Sequence, residues 1–127
     1  MIRMQSFILL IYIEVLLKRK GLQYACENVK RRNVKKTNEF KSQDLISVCS
    51  TVNSVVNRSV LFPHAECLHR SLVGYYLLTR KGVDVKFCLG VTSFDGNFSS
   101  HAWLEYNGRV INDDNNFIKK YSKIMIF

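Results

Sequence analysis

The sequence predicts an α+β fold, with helices in the first part of the chain and a small antiparallel sheet in the second. Apolar residues recur at helical spacing up to Gly82, whereas the residues after it alternate as strands do. The 127 residues are enough to bury one core. We therefore predict a single domain over residues 1–127, with a helical part at 1–60 and a further helix with antiparallel strands at 61–127.

Two helices are predicted at the start of the chain, over residues 2–20 and 22–32. Within the first, the apolar run SFILLIYIEVLL has only twelve residues and contains Glu14. A membrane span needs about twenty apolar residues, and a signal peptide needs a small-residue cleavage site where this chain has residues 18–20, Lys-Arg-Lys. We predict a core helix ending at Gly21; peripheral membrane contact through the basic triplet is left open but not expected.

Two more helices follow the polar stretch NVKKTNEFKS, which is predicted to be a loop. Ser42 is the expected N-cap of the third helix, with Asp44 in its first turn, and apolar residues continue at helical spacing to about Asn57. Pro63 interrupts the pattern. The fourth helix is predicted over residues 65–82, with basic residues in its last turn and a glycine at its end.

Strands are predicted in the remainder of the chain. VDVKFCLGV, residues 83–91, alternates and is rich in β-formers, and SFDGNFSS, residues 93–100, is expected to be a loop. SHAWLEY and RVIND, residues 100–106 and 109–113, are expected to form a hairpin around Asn107-Gly108. The C-terminal IKKYSKIMIF fits either a strand or a helix.

The net charge of +9 is concentrated in one segment. Nine of the nineteen Lys and Arg residues lie between Lys18 and Lys41, together with only Glu27 and Glu39. Such a segment is either a solvated surface or a site for a membrane, a nucleic acid or an acidic peptide. Because only Tyr24 and Phe40 lie among the positive charges, without the repeated interleaving of aromatic residues seen in nucleic-acid sites, no nucleic-acid partner is expected.

The four cysteines predict a reduced protein. Cys26, Cys49, Cys67 and Cys88 are spread along the chain without a C-x-x-C pair, so neither a zinc knuckle nor a disulfide framework is indicated. We expect a cytoplasmic protein in which three of the four are core thiols.

Cys67 differs from the other cysteines because it falls in the first turn of a predicted helix. Unpaired backbone N–H groups and the positive end of the helix dipole favour a thiolate there, and a thiolate is a nucleophile. A histidine would complete its activation and a carboxylate would orient that histidine. A purely structural cysteine is the alternative. The nearby pattern His64-x-x-Cys67-x-His69 has poor spacing for zinc, so no metal site and no cofactor are predicted.

The stretch SSHAWLEYNGRVINDD supplies both partners. A two-residue turn would pair His101 with Asp114, whereas a three-residue loop with a G1 bulge would pair His101 with Asp113. We prefer the three-residue loop because it sets Glu105 opposite Arg109 and apolar residues opposite each other. His101 and Asp113 would then project together, within reach of a helix packed on that face. An ordinary surface hairpin with a solvent-facing pair is the alternative.

The segments ECLHRSLVGYYLLTRKGVDVKFCLGV and SHAWLEYNGRVIND, in this order, resemble the lasso-peptide leader peptidases, a family of transglutaminase-like cysteine peptidases. The resemblance covers residues 66–113 strongly. It implies a papain-like fold with catalytic Cys67, His101 and Asp113. We expect Trp103 to line the substrate site, and packing in the core is the alternative for this residue.

The resemblance also implies a function. Cys67 would attack the carbonyl at the end of the leader of a ribosomally made precursor peptide, and a separate cyclase would close the released core peptide. The short form of this peptidase, which the chain resembles, lacks its own leader-recognition domain and depends on a separate leader-binding protein. We expect the basic segment, including Lys30, to dock that protein, the leader or the cyclase.

Two other functions remain open. Another transglutaminase-like acyl transferase would use the same three residues but pass the acyl group to an amine or a thiol. A non-catalytic basic module that binds nucleic acid or membrane would not need Cys67 at all.

Overall fold

The computed structural model describes residues 2–30, 41–58, 67–94 and 96–127 of the chain. The helices are α1 (Ile2–Lys20), α2 (Leu22–Lys30), α3 (Ser42–Asn57), α4 (Cys67–Arg80) and α5 (Asn115–Ile118). The strands are β1 (Lys86–Phe94), β2 (Asn97–Tyr106), β3 (Arg109–Val110) and β4 (Ser122–Ile126). The predicted α+β arrangement, with helices before an antiparallel sheet, is confirmed.

The first two helices agree with the sequence prediction as far as they are described. Gly21 ends α1 with a φ of 85°, a left-handed conformation that glycine adopts without strain. The last residues predicted for the second helix, 31–32, lie outside the described part. None of the described helices is both long and apolar enough to cross a bilayer.

The predicted cap of α3 is wrong by one residue. Ser42 is already the first helical residue, and Lys41 occupies the N-cap position with an extended backbone and no capping hydrogen bond from its side chain. Asp44 does lie in the first turn, as predicted. The predicted helix break at Pro63 falls outside the described residues.

Glu14, which interrupts the apolar run of α1, pairs with a residue of α4. Its Oε2 lies 2.6 Å from Nε2 of His69, and its Oε1 lies 3.3 Å from Nζ of Lys18. Burial opposes ionisation of this carboxyl, but hydrogen bonds from His69 and Lys18 outweigh burial and lower its pKa. The contact between Glu14 and His69 therefore links α1 to α4, although Glu14 interrupts the apolar run.

The sheet has the strand order β3-β2-β1-β4 and every neighbouring pair is antiparallel. Strands β1 and β2 pair continuously from Lys86 opposite Glu105 to Phe94 opposite Asn97. The predicted loop over residues 93–100 is therefore wrong, since most of it continues this ladder. Backbone pairing needs no apolar side chains, and Gly96, with a φ of 79°, allows the chain to reverse.

The second hairpin adopts the two-residue turn. Glu105 is opposite Val110 and Tyr106 is opposite Arg109, so the three-residue loop that we preferred is wrong. Asn107 and Gly108 both have positive φ, 51° and 78°, as a type I′ turn requires. The twist of this turn suits the strands, and it outweighs a charge pairing worth only about 0.2–1 kcal/mol.

The C-terminal segment IKKYSKIMIF, residues 118–127, is mainly a strand. Only its first residue, Ile118, belongs to the short helix α5, and residues 122–126 form the edge strand β4, which pairs with β1. The side chain of Asp114 caps α5 by accepting a hydrogen bond from the backbone N–H of Asn116 at 2.9 Å. Because β3 and β4 lie at opposite edges, the chain between them crosses the sheet.

The two faces of the sheet are covered differently. The inner face, represented in β2 by Ala102, Leu104 and Tyr106, packs with α1, α3 and α4 in the main core. The outer face carries Trp103, which packs in a second cluster with Cys88 of β1 and Ile118 of α5. Side chains alternate along a strand, so His101 and Glu105 share the outer face with Trp103.

Candidate active site

Cys67 is the first residue described in α4, and its side chain is half-buried. All four cysteines are free thiols, and Cys26, Cys49 and Cys88 are buried. Burial raises the pKa of the Cys49 thiol to about 12, and burial together with the neighbouring Glu105 carboxylate does the same for Cys88. Cys67 is therefore the one cysteine of the four that combines access to solvent with the start of a helix.

A cavity of about 270 Å³ brings Cys67 and His101 together. The other described residues around it come from α2, α4 and the inner side of the hairpin: Leu22, Leu68, Leu89, Ser100 and Ala102. The wall is mostly apolar apart from the Ser100 hydroxyl and the two candidate catalytic groups. A substrate bound here would meet both the thiol and the imidazole.

His101 and Asp113 form the tightest polar contact of the site. Nε2 of His101 lies 2.6 Å from Oδ2 of Asp113, and both side chains are largely buried. The other oxygen of Asp113, Oδ1, accepts the backbone N–H of Asp114 at 2.8 Å. The carboxylate is thus held from both sides, and Nδ1 of the imidazole is left as the nitrogen that could exchange a proton with a thiol.

The predicted pairing of His101 with Asp113 is present, but it arises for a different reason from the one proposed. In the observed register a continued ladder would set His101 opposite Asp114, not Asp113. Strand β3 is only two residues long, so the chain leaves the ladder before that pair could form. The departing chain brings Asp113 to the imidazole instead.

The predicted position of His101 relative to α4 is also wrong. We expected the helix that carries Cys67 to pack on the face from which His101 projects. Helix α4 packs on the inner face, where a Cβ at Gly74 would lie 2.8 Å from Cδ1 of Leu104. His101 projects from the outer face, and it meets Cys67 only at the cavity that both residues line.

Three aromatic rings surround the imidazole on the outer face. The ring centroid of His101 is 5.1 Å from that of Phe117, 5.3 Å from that of Tyr121 and 6.3 Å from that of Trp103. Phe117 meets the imidazole edge-on, whereas the other two rings are stacked against it. Sequence reasoning missed both Phe117 and Tyr121, because no element was predicted at Phe117 and the segment that carries Tyr121 fitted both strand and helix.

Trp103 stands behind the histidine and has no exposed surface. Its Nε1–H donates to Oε2 of Glu105 at 2.8 Å, and Glu105 in turn accepts from Nζ of Lys123. The substrate contact predicted for Trp103 stays a prediction. Its burial favours a supporting role in which the indole fixes the orientation of the His101 ring.

Arg70 lies beside the carboxylate of Asp113. It follows Cys67 by one turn of α4, and its Nη2 is 3.9 Å from Oδ2 of Asp113. Its Nε is buried and has no hydrogen-bond partner among the described residues. The spacing of three residues from the cysteine predicts this side of the helix from the sequence alone, with either solvent or substrate as the neighbour of Arg70.

The chain segment that leads to Asp113 is anchored by buried amides. The side chain of Asn112 accepts the Leu104 backbone N–H at 2.8 Å and donates to Oγ of Ser71 at 2.9 Å. Oγ of Ser71 donates to the backbone carbonyl of Ala102 at 3.1 Å. Nδ2 of Asn53 donates to the backbone carbonyl of Asn112 at 3.1 Å. Helices α3 and α4 are thereby joined to the hairpin beside the site.

Metal binding has no structural support in the described part of the chain. Within those residues, no three His, Cys, Asp or Glu side chains are grouped so that they could hold a metal ion. His64, the first residue of the weak motif considered above, lies outside the described residues.

Comparison with known proteins gave a match at the level of the family. Residues 7–126 match the family model for the transglutaminase-like superfamily. Comparison with curated proteins found no significant match. Comparison with solved structures found none either.

Proposed function

The chain belongs to the transglutaminase-like superfamily, and from this premise we propose that it is a cysteine peptidase that removes the leader from a lasso-peptide precursor. The observation that carries the proposal is the 2.6 Å contact between His101 and Asp113 beside the cavity that His101 shares with Cys67. A nucleophile, a base and an orienting carboxylate are the three groups that acyl transfer through a thiol requires. Membership of the superfamily is compatible with both peptidase and acyltransferase chemistry.

Each of the three residues has a distinct role in the proposed reaction. Nδ1 of His101 takes the proton of the Cys67 thiol, and the thiolate adds to the scissile carbonyl to form a C–S bond. The C–N bond then breaks, and the imidazolium protonates the departing amine. Water, deprotonated by the same imidazole, hydrolyses the thioester and restores the thiol. Asp113 holds the ring and stabilises its positive charge during both steps.

The developing oxyanion would be stabilised at the start of α4. The first backbone N–H groups of a helix lack intrahelical acceptors and point outward. The N–H of Cys67 is the donor that we assign to the oxyanion, because it belongs to the attacking residue and is therefore beside the carbonyl. The aromatic rings around His101 would limit competing hydration of the imidazole.

The choice of leader removal over other substrates rests on the resemblance of the sequence. ECLHRSLVGYYLLTRKGVDVKFCLGV followed by SHAWLEYNGRVIND carries the cysteine, histidine and aspartate in the order and spacing of the lasso-peptide leader peptidases. We accordingly propose a cytoplasmic enzyme whose substrate is delivered by a separate leader-binding protein. The basic segment between Lys18 and Lys41 is the proposed docking surface for that protein, the leader or the cyclase.

Mass spectrometry of a precursor peptide that is encoded beside the gene for this protein tests this function. The precursor is mixed with its leader-binding protein and either this chain or its Cys67→Ala variant. We expect cleavage of one peptide bond by the unmodified chain and none by the variant. Cleavage that survives Cys67→Ala, or no cleavage by either protein, would overturn the proposal.

A primary amine added to the same reaction separates hydrolysis from acyl transfer. A peptidase transfers the acyl group to water, so the released leader ends in a free carboxylate even when the amine is present. A leader that carries the amine as its main product would instead identify an acyltransferase that uses the same three residues.

A further inference from the structure

The ladder between β2 and β3 is ended by a side chain. The backbone N–H of Ile111 donates to the carbonyl of Leu104 at 3.0 Å, as in a regular antiparallel pair. In such a pair Leu104 would return the hydrogen bond to the carbonyl of Ile111. Its N–H donates instead to Oδ1 of Asn112 at 2.8 Å. The amide of Asn112 thus replaces the backbone acceptor at the point where the two strands part.

The point at which the ladder ends decides which carboxylate meets the imidazole. If the observed register continued, Ala102 would be opposite Asp113 and His101 would be opposite Asp114. Asp113 would then project from the inner face, away from the histidine, because opposed residues share a face. In the structure Asp113 contacts His101, and Asp114 caps α5.

The amide that ends the ladder is itself held rigidly. Asn112 is only 7% exposed, and its Nδ2 donates to Oγ of Ser71 at 2.9 Å. Oγ of Ser71 in turn donates a hydrogen bond to the carbonyl of Ala102, the residue next to His101. A side chain at position 112 must therefore accept one hydrogen bond and donate another in a fixed direction, which a primary amide can do.

We propose that Asn112 is a positioning residue, which ends the β2–β3 ladder and thereby sets Asp113 against His101. The inference deepens the proposed function, because it names a residue on which the imidazole of that site depends. The contact between Asp113 and His101 can nevertheless be observed without substrate. Its test can therefore fail or succeed independently of leader cleavage.

Proton NMR of the imidazole tests the proposal directly. A ring N–H that donates to a carboxylate exchanges slowly and resonates far downfield of ordinary ring protons. The chain has three histidines, so the resonance of His101 is assigned by its loss in His101→Gln. We expect this resonance in the unmodified chain and its loss in Asn112→Ala, as in Asp113→Ala.

Asn53→Ala is the matched control. It removes the hydrogen bond to the backbone carbonyl of Asn112 but leaves the amide of Asn112 and the end of the ladder in place. We expect the His101 resonance to persist in this variant. If Asn112→Ala does not fold, Ser71→Ala replaces it, since this change removes the acceptor of Nδ2 and should broaden the same resonance.

Activity provides a second readout that purely structural damage would not reproduce. Misplacement of a catalytic group by about 1 Å can cost on the order of 10²-fold in rate, so we expect kcat of Asn112→Ala to fall by about 10- to 100-fold with KM little changed. Combined with Asp113→Ala, the substitution should lower kcat no further, because its effect passes through Asp113.

Several results would overturn the proposal. These are absence of the downfield proton from the unmodified chain, its persistence in Asn112→Ala, and its equal loss in Asn53→Ala. Additive losses of kcat in the double variant would likewise show that Asn112 acts by another route. An intact pattern of resonances together with uncleaved precursor would leave this inference standing and overturn only the proposed function.

Discussion

The indole Nε1–H of Trp103 donates to Oε2 of Glu105, two residues further along the outer face of β2, at 2.8 Å. Nζ of Lys123 in β4 lies 2.9 Å from the other oxygen of the same carboxylate. A charged pair that spans β2 and β4 therefore fixes the tryptophan on which the imidazole of His101 rests. The stability of this arrangement should depend on pH.

Glu105→Gln should lose stability mainly near neutral pH. Burial opposes ionisation of Glu105, but hydrogen bonds from Lys123, Trp103 and Cys88 outweigh it and lower the pKa of this carboxyl below the ordinary 4.5. Its contribution to folding is therefore present above pH 4.5 and is lost as the pH falls through the lowered pKa. Because Lys123 is partly exposed, we expect a difference of only about 0.5–1 kcal/mol at pH 7.

At alkaline pH the contribution of Lys123 to stability changes with pH in the opposite direction. The carboxylate of Glu105 raises the pKa of Lys123 above 10.5, so its contribution is present below pH 10.5 and is lost as the pH rises through the raised pKa. Urea unfolding of the unmodified chain and Glu105→Gln at several pH values measures both effects. A stability difference that does not shrink below pH 4 would contradict the assignment.

Iodoacetamide should modify one cysteine of the native protein. Cys26, Cys49 and Cys88 are buried, and the pKa values of Cys49 and Cys88 are raised to about 12, so few of these thiols ionise at neutral pH. We expect intact-mass spectrometry at pH 7 to find a single adduct. Peptide mapping should place that adduct at Cys67.

Cys67→Ala is the control for this labelling, and it should take up no label before the protein unfolds. Rapid modification of two or more thiols in the folded chain would contradict the predicted burial. Urea should expose all of the remaining thiols and so confirm that the reagent was active.

Asp113→Asn should reduce the proposed peptidase activity with little change in stability. The amide fills nearly the same space but cannot carry the negative charge that stabilises the imidazolium, and it favours the wrong tautomer of His101. We expect kcat to fall on the order of 10³-fold, while KM and the unfolding midpoint change little. Asp114→Asn, which changes the neighbouring cap of α5, is the matched comparison and should retain most of the activity.

Gly90→Ala should destabilise the fold more than Gly74→Ala. A Cβ at Gly90 would lie 2.6 Å from Cη2 of Trp103 and 3.0 Å from the backbone carbonyl of Ser122, and neither group has room to retreat. We expect a loss of about 1–3 kcal/mol, as for other overpacked sites. At Gly74 the added carbon meets only the end of the flexible Leu104 side chain.

Urea unfolding of the two glycine variants provides the measurement. An equal or larger loss for Gly74→Ala would show that the helix interface, not the tryptophan, is the tighter contact. Because the Trp103 ring supports His101, Gly90→Ala should also lower kcat. Gly74→Ala should lose activity only in proportion to the fraction of protein that unfolds.

The main parts of the fold could be predicted from the sequence because helical spacing and strand alternation are strong local signals. The cysteine at the start of α4 was predicted in the same way, whereas the pairing of His101 with Asp113 was predicted from a register that the hairpin does not adopt. The hairpin register was not, because the conformation of Asn107-Gly108 outweighed the cross-strand pairs. The face of His101 was not predicted either, since it depends on how α4 packs.

The supporting residues of the site were the hardest to predict. Tyr121 comes from a segment whose pattern fitted both helix and strand, and Phe117 lies just before that segment where no element was predicted. Only the crossing of the sheet brings the two rings to His101. Asn112 looks like an ordinary residue near a turn in the sequence. Its role depends on a hydrogen bond to Leu104 across the hairpin, and no local pattern encodes that bond.

The crossing of the sheet by α5 and β4 also determines when the site can be completed during synthesis. His101 and Asp113 are twelve residues apart in one hairpin, and hairpins form within about 1–10 μs. Phe117 and Tyr121 are added to the growing chain after both of them, and Cys67 long before. A nascent chain that has not yet released this segment carries Cys67 without the rings that surround His101, so the candidate site is complete only after residue 121 has left the ribosome.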